Sequence, residues 1–456
     1  MSNPRGKLMP IADAFWTWIE SPETPMQVAG LMIFKPDEPA ADFVRRVVDT
    51  YRTYPATTKP FNYRVQRSRI PLMARRRVID DVDIDYHFRH SALPAPGGQL
   101  ELGILISRLH SAPLDPRRPM WEAHVIEGLE GDRVAVYLKA HHSLLDGVAG
   151  IRLLMETFST DPHAALPPPP WARALPPRTT RTAAGRRRRP KLSHIASALK
   201  AVRRLAKARR QHDNELVGLF QSPRSDLNVE VSPQRRVATA SLDLARIVAV
   251  GKASGTTIND VVLALCSAGL RRYLDQLDSV PAQSLTAMVP VSVRPADSDG
   301  DGNAVSMILA TLATDVSDPA QRLRQIARST EAGKNHLRSM EAGTLDIYSQ
   351  AAMLPHVSRQ LVPGLASARP VFNLVISNVP GPHEPLYAGG AQLESWFPVS
   401  LLFKNEALNI TVLSYNGRLN LGFTACRTAL PHVQDLALYV ENALENLETV
   451  LSVDAH

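Results

Sequence analysis

Apolar and polar positions along the 456-residue chain follow two alternating periods. Residues 28–35 (VAGLMIFK) and 132–142 (DRVAVYLKAHH) are short apolar or alternating runs, as in strands. Residues 40–52 (AADFVRRVVDTYR) and 103–110 (GILISRLH) repeat apolar residues at three- and four-residue spacing, as in helices. The mixture stops near residue 163 and resumes after about 235, with a helix over 257–274 N-capped by Thr256 or Thr257. SLTAMVPVSVR, VFNLVISN and ALNITVLSYNG then read as strands, and a last helix starts near His432. The 163–235 stretch is rich in proline and loses periodicity, which marks a linker. The pattern therefore predicts an α/β protein with two domains, 1–162 and 236–456, joined by a long crossover. Within the linker, 191–210 recovers a helical stripe of Leu192, Ile195, Leu199, Val202 and Leu205. Lys200, Arg203, Arg204, Lys207, Arg209 and Arg210 surround it.

Composition adds little to this, but charge changes it. At 44% hydrophobic and 21% charged the chain has a globular composition, and its net charge is +8. Fourteen Lys and Arg, and no acid, fall between Arg173 and Arg210; removing them from +8 leaves the rest near −6. The basicity therefore belongs to one segment, an interaction surface and not a property of the fold. Its run of four arginines at 186–189 lacks interleaved aromatics, so nucleic acid is not an expected partner. Cys266 and Cys426 are far apart, which argues for a reducing, cytoplasmic setting and against a metal site. The opening MSNPRGKLMP has no apolar h-region and no run is long enough to span a bilayer, so any membrane contact is expected to be peripheral.

The candidate chemistry lies at LKAHHSLLDGVAGIRLL. On a strand, Val134, Val136, Leu138, Ala140 and His142 share one face, and Arg133, Ala135, Tyr137, Lys139 and His141 the other. The first set is apolar, so His142 is expected to end an inward face while His141 points elsewhere. Diverging side chains cannot grip one metal, and no further ligands stand at a recognised spacing. A helix follows, with Val148, Ile151, Leu154, Met155 and Phe158 as its stripe and Asp146 at its start. Asp146 has two readings, an N-cap or a carboxylate that serves the histidine. A buried imidazole beside a carboxylate and a glycine-eased turn at Gly147 has what a general base needs. No GxSxG elbow, P-loop, GxGxxG or HExxH occurs, and DSDGDGN (297–303) fails as a calcium loop because its twelfth position is Ile308.

His141-His142-Ser143-Leu144-Leu145-Asp146-Gly147 is the HHxxxDG signature, and it resembles that of the coenzyme A-dependent acyltransferases. PLDPRRPMWE (113–122), TTINDVVLA (256–264), VPVSVR (289–294), ISNVPGP (376–382) and DAFWTWIESPETPMQVAG (13–30) are similar, in the same order, to blocks of the bacterial wax ester synthase/diacylglycerol acyltransferases. Gln27 departs from the histidine that the family often has there. The resemblance implies two chloramphenicol-acetyltransferase-like α/β domains with mixed sheets and a substrate tunnel at their interface. It implies acyl-CoA as co-substrate with no bound cofactor, diacylglycerol or a fatty alcohol as acceptor, and contact with anionic membrane or a lipid droplet. His142 is then the general base, with His141 orienting the loop. Asn259 is an oxyanion donor or a helix cap. Asp146 pairs with Arg294 to brace the loop. Asp115, Arg118 and Trp121 are read as structural, Asp115 and Arg118 as a local ion pair. Asn373, Ser377, Asn378, Pro380 and Gly381 line the tunnel or hold backbone.

Overall fold

Most of the predicted elements form where the two periods place them. The computed structural model describes residues 6–173, 192–211, 215–293, 304–362 and 369–453. The first half runs β1 (Lys7–Leu8), α1 (Ile11–Ile19), β2 (Gln27–Lys35), α2 (Ala40–Arg52), β3 (Tyr63–Arg67), β4 (Ala74–Val78), α3 (Ile84–His87), β5 (Phe88–Ala92), α4 (Gln99–Ser111), β6 (Trp121–Leu129), β7 (Arg133–His141) and α5 (Gly147–Thr157). The second runs α6 (Leu192–Gln211), β8 (Arg235–Asp243), α7 (Leu244–Ser254), α8 (Ile258–Asp275), β9 (Thr286–Val293), β10 (Ala304–Thr311), α9 (Pro319–Arg338), α10 (Ala342–Leu361), β11 (Leu374–Val379), β12 (Tyr387–Ala388), β13 (Ala391–Val399), β14 (Leu408–Tyr415), β15 (Arg418–Cys426) and α11 (Val433–Leu451).

Two six-stranded mixed sheets carry the fold, ordered β12-β13-β2-β7-β6-β5 and β10-β9-β11-β14-β15-β8. The halves are not separate in sequence. β13 leaves the second half to pair antiparallel with β2, and the chain then returns through 400–407 to β14 of the other sheet. At this crossing Gly422 meets the Pro398 carbonyl, and a Cβ there would lie 1.7 Å from that oxygen, so only glycine fits. α4 covers the edge strand β8. The hydroxyls of Ser107 and Ser111 each accept, at 2.8 Å, from the Val237 and Arg235 N–H groups that the edge would leave open.

β7 sits between β2 and β6 with both faces covered. Val134, Leu138 and Ala140 pack with α2 and α5, while Ala135 and Tyr137 pack with α4. The expected single interior face is therefore corrected. A central strand of a sheet covered on both sides is buried on both, and its polar residues must find partners. Lys139 is fully buried; it donates to the Leu109 and Ala112 carbonyls at 2.9 Å and lies 3.2 Å from Glu122.

In α6, Ala198 and Leu205 are buried, Ala201 and Val202 partly so, against the C-terminal half. Leu199, expected in the stripe, is 50% exposed. The buried face runs through 198, 201, 202 and 205, and at about 100° per residue Leu199 falls beside it. Lys200, Arg203 and Arg204 face solvent. The arginine run 186–189, the 297–303 segment and Arg294 lie outside the described residues. Among the described residues no helix is long and apolar enough to cross a membrane.

Candidate active site

The strand ends at His141, and His142 stands in the turn that follows. This turn joins β7 to α5, and each histidine is held separately. His141 is buried. Its Nδ1 accepts from the Ser143 N–H at 3.1 Å and lies 2.7 Å from the Ser143 hydroxyl. An accepting Nδ1 puts the proton on Nε2, which points at Glu20 Oε1 3.4 Å away. Glu20 also accepts from the Met26 N–H at 3.1 Å, and Arg67 is 3.8 Å from it. Burial pushes the Glu20 carboxyl up, but His141, the Met26 N–H and Arg67 together outweigh it and hold the group below its usual range. His141 is therefore held by Ser143 on Nδ1 and faces the Glu20 carboxylate with Nε2, at ion-pair distance and not in a hydrogen bond.

His142 is different. Its N–H donates to the Met26 carbonyl at 2.8 Å, and its ring lies on the Trp16 indole with centroids 4.0 Å apart. Trp16 stacks in turn on Phe403, at 6.1 Å. The ring is half-buried, and Nδ1 has no hydrogen-bond partner. Burial pushes the imidazole down to about 4, against the Asp146 charge, which raises it. His142 is thus a neutral base at neutral pH, pinned by an aromatic face and a backbone bond.

Asp146 is the N-cap of α5 and accepts from the Ala149 N–H at 2.8 Å. The capping reading holds, and the partner proposed for it, Arg294, is outside the described residues. Gly147 is exposed at the first helical position. It has no positive φ, and a Cβ there would meet nothing within 4 Å. The expectation of a turn eased by glycine is corrected: the backbone does not need glycine here. The stripe of α5 is corrected in part: Leu154 is buried with Ile151 and Phe158 packed beside it, but Val148 and Met155 are exposed and Leu153 and Thr157 are buried instead.

Asn259 is the second residue of α8, and the cap is Thr257, in a reciprocal pair with Asp260. Capping is therefore not the role of Asn259. Among the described residues its side chain makes no hydrogen bond to the histidine turn. Asp115 pairs with Arg117 at 2.9 Å, not with Arg118. Arg118 reaches Asp83 at 2.9 Å and lies over Tyr86. The expected Asp115–Arg118 pair is thus overturned; Arg117 is nearer in the turn and fully free to fold back. Trp121 is the packing anchor: it donates to the Phe61 carbonyl at 2.8 Å and stacks on His87 and Trp171. Trp171 closes a small apolar cavity of about 50 Å³ between the first sheet, α2 and α5, walled also by Phe34, Phe43, Phe88, Leu138 and Leu154.

Asn373 is buried and holds backbone: Oδ1 accepts from the Thr286 N–H, and Nδ2 donates to the Pro223 carbonyl, both at 2.8 Å. Ser377 and Asn378 are half-buried in β11, and Pro380 is exposed. Gly381 N–H donates to Ser414, and a Cβ there would strike the Ser414 carbonyl. Sequence reasoning missed Trp16 and Glu20 as partners of the histidines. Their only signal was their place in the 13–30 block. Gln27, beside His141 in register, donates to the His110 and Ala112 carbonyls and so ties β2 to the end of α4. Among the described residues no group of acids, histidines or cysteines could hold a metal.

The class follows from these features: two linked α/β halves and an HHxxxDG turn with one locked and one available histidine belong to the coenzyme A-dependent acyltransferase fold. A condensation domain of the calcium-dependent antibiotic synthetase, 17% identical with a TM-score of 0.57, shares that fold. Residues 8–262 match the wax ester synthase/diacylglycerol acyltransferase catalytic domain, and 301–448 the WS/DGAT C-terminal domain. The O-acyltransferase WSD of Acinetobacter baylyi is 39% identical over 96% of both chains. The probable diacylglycerol O-acyltransferase tgs2 of Mycobacterium tuberculosis is 39% identical over 98% of this chain and 100% of its own. The solved wax ester synthase/diacylglycerol acyltransferase of Marinobacter aquaeolei VT8 is 35% identical, with a TM-score of 0.80 over 97% of this chain and 100% of that one. The chain belongs to the wax ester synthase/diacylglycerol acyltransferase family and is an acyltransferase.

Proposed function

We propose that the protein transfers a long-chain acyl group from acyl-CoA to the hydroxyl of diacylglycerol or of a fatty alcohol, giving triacylglycerol or a wax ester. The observation that carries this reading is His142, a neutral imidazole fixed against Trp16 at the turn between β7 and α5. An alcohol is a weak nucleophile at neutral pH. His142 takes its proton as the oxygen attacks the thioester carbonyl, and a tetrahedral oxyanion forms. When that collapses the C–S bond breaks, and the imidazolium returns the proton to the departing CoA thiolate. No covalent enzyme intermediate is needed, and base catalysis of this kind contributes about 10²–10⁴-fold.

Asp146, beside His142, favours the imidazolium as it forms. Asn259, relieved of capping by Thr257, is free to offer its amide to the oxyanion near the positive end of α8. The uncrowded Gly147 leaves open space at the start of α5 for a substrate to pass. Substrates of this kind reside in lipid, so the protein works as a cytoplasmic enzyme bound peripherally to membrane or lipid droplet.

The test is turnover of labelled acyl-CoA with a panel of diacylglycerols, fatty alcohols and amines. Ester formation that His142→Ala abolishes supports the reading. Lipid binding with no turnover on any acceptor makes the chain a non-catalytic relative, and turnover only on amines or carrier-bound donors assigns it to another acceptor class.

A further inference from the structure

The segment Tyr63–Val78 reads YRVQRSRIPLMARRRV, with six arginines and no acid. It folds as the hairpin β3–β4, completed by β1 into a three-stranded sheet ordered β1-β4-β3. The inner face buries Val65 and Ala74 against Met9, Ala14, Leu114 and Met120. The outer face therefore carries Arg64, Gln66, Arg75, Arg77 and Leu8, all exposed. Arg64 stands directly opposite Arg77 in register. Like charges placed directly across a ladder destabilise it. Among the described residues Arg64, Arg69, Arg75 and Arg77 form no ion pair; Arg75 only donates to the Gly6 carbonyl, at 3.2 Å. Asp80 and Asp81 follow β4 and lie beyond the strand. The cluster thus works against the fold that holds it, and a bound polyanion would relieve it.

The cations do not stand alone. Ile70 at the hairpin tip is 59% exposed, and Leu72 holds a positive φ of 58°, a costly conformation for leucine. Ile11, at the start of α1, is 68% exposed and Leu8 46%. Arginines beside projecting aliphatic side chains match the surface of a bilayer with anionic headgroups: cations in the headgroup layer and apolar groups just below it. A free phosphate or nucleotide would use the charge and leave the aliphatic tip in water.

The hairpin also sits on the catalytic turn. Trp18 of α1 donates to the Met73 carbonyl at 3.1 Å, and Arg67 approaches Glu20, the partner of His141. The next indole on α1 is Trp16, which lies on His142. We infer that the arginine hairpin β3–β4, with Ile70 at its tip, is a docking surface for anionic lipid bilayers and brings the His142 side of the protein to the membrane. This deepens the proposed function, from which it takes the need for a lipid-borne acceptor.

The experiment is co-sedimentation of the full chain with phosphatidylcholine vesicles, with and without phosphatidylglycerol, at rising salt. Its readout needs no turnover. Binding should require the anionic lipid and weaken with salt. The variant Arg64→Gln/Arg75→Gln/Arg77→Gln should bind on the order of 100-fold more weakly at low salt, since each cation contributes about five-fold. Ile70→Ser alone should weaken binding with the salt dependence unchanged. Turnover with a short soluble alcohol should persist in both variants, which separates loss of docking from loss of catalysis or of folding. Triple-variant binding equal to that of the parent overturns the inference. A raised KM for acyl-CoA with unchanged vesicle binding also overturns it, and assigns the arginines to the CoA phosphates. Vesicle binding abolished instead by replacing Lys200, Arg203 and Arg204 moves the docking surface to α6.

Discussion

The two histidines of the signature have the same side chain and opposite situations. His141 has Ser143 on one nitrogen and Glu20 on the other, so it orders the turn. His142 has one ring face on Trp16, and its imidazole is lowered to about 4. His142→Ala should reduce kcat by roughly 10²–10⁴-fold. His141→Ala should cost less activity and more stability, because it removes the Ser143 contact that orders the turn and one partner of the half-buried Glu20. Turnover and thermal melting of both variants check this, and a more damaged turnover in the His141 variant would reverse the assignment. The pH profile carries a second signature. A base depressed to about 4 stays neutral far below the ordinary 6.5 of histidine. The plot of kcat/KM should therefore stay flat from pH 7 to about 5 and fall only as pH drops through about 4. A limb near 6.5 would mean that the His142 site is wet.

At the level of elements, α5 begins where Asp146 caps it, and this allows its two roles to be told apart. Asparagine caps as well as aspartate but carries no charge; alanine does neither. If Asp146 acts only as a cap, Asp146→Asn keeps stability and activity while Asp146→Ala loses about 1 kcal/mol. If it also braces a cation such as Arg294, both variants lose activity together. Chemical denaturation with turnover distinguishes the two. The edge strand β8 gives a simpler case. Ser107→Ala removes the hydroxyl that accepts from the Val237 N–H and leaves a buried donor unsatisfied. The expected loss is about 1–3 kcal/mol, read by urea unfolding. Helices and strands of this kind were legible because apolar period and capping chemistry are local. Thr257 at the head of α8 and the 40–52 helix appeared where the spacing put them. The faces of β7 were not legible. Burial on both sides depends on which layers cover the sheet, and α4 and α5 are placed by tertiary packing.

Across the whole molecule, burial lowers five histidines among the described residues towards the neutral form, one of them His87. Burial pushes His110 and His356 down to about 3, and His142 and His336 down to about 4. Unfolded, each returns to about 6.5 and takes up a proton. Between pH 6.5 and about 4 the unfolded chain therefore binds more protons, so stability falls as pH falls through that window. Each group contributes at most ~1.4 kcal/mol per pH unit. Glu406, raised by burial beside His356, acts in the opposite direction. One acid against five histidines leaves a net fall, visible as a declining melting temperature from pH 7 to 5. A flat melting temperature would mean that these histidines are solvated in the fold.

The sequence by itself determined the element types, the mixed α/β class and the histidine pair. Each of these is written in residues close along the chain, or in blocks whose order is the message. Tertiary structure alone decided that β13 joins the first sheet, that Arg118 reaches Asp83, and that Trp16 and Glu20 divide the two histidines between them. Those outcomes depend on distances between segments far apart in sequence, and these are set only when the layers pack. A periodicity shows which face of an element is apolar, but not which neighbour will cover it.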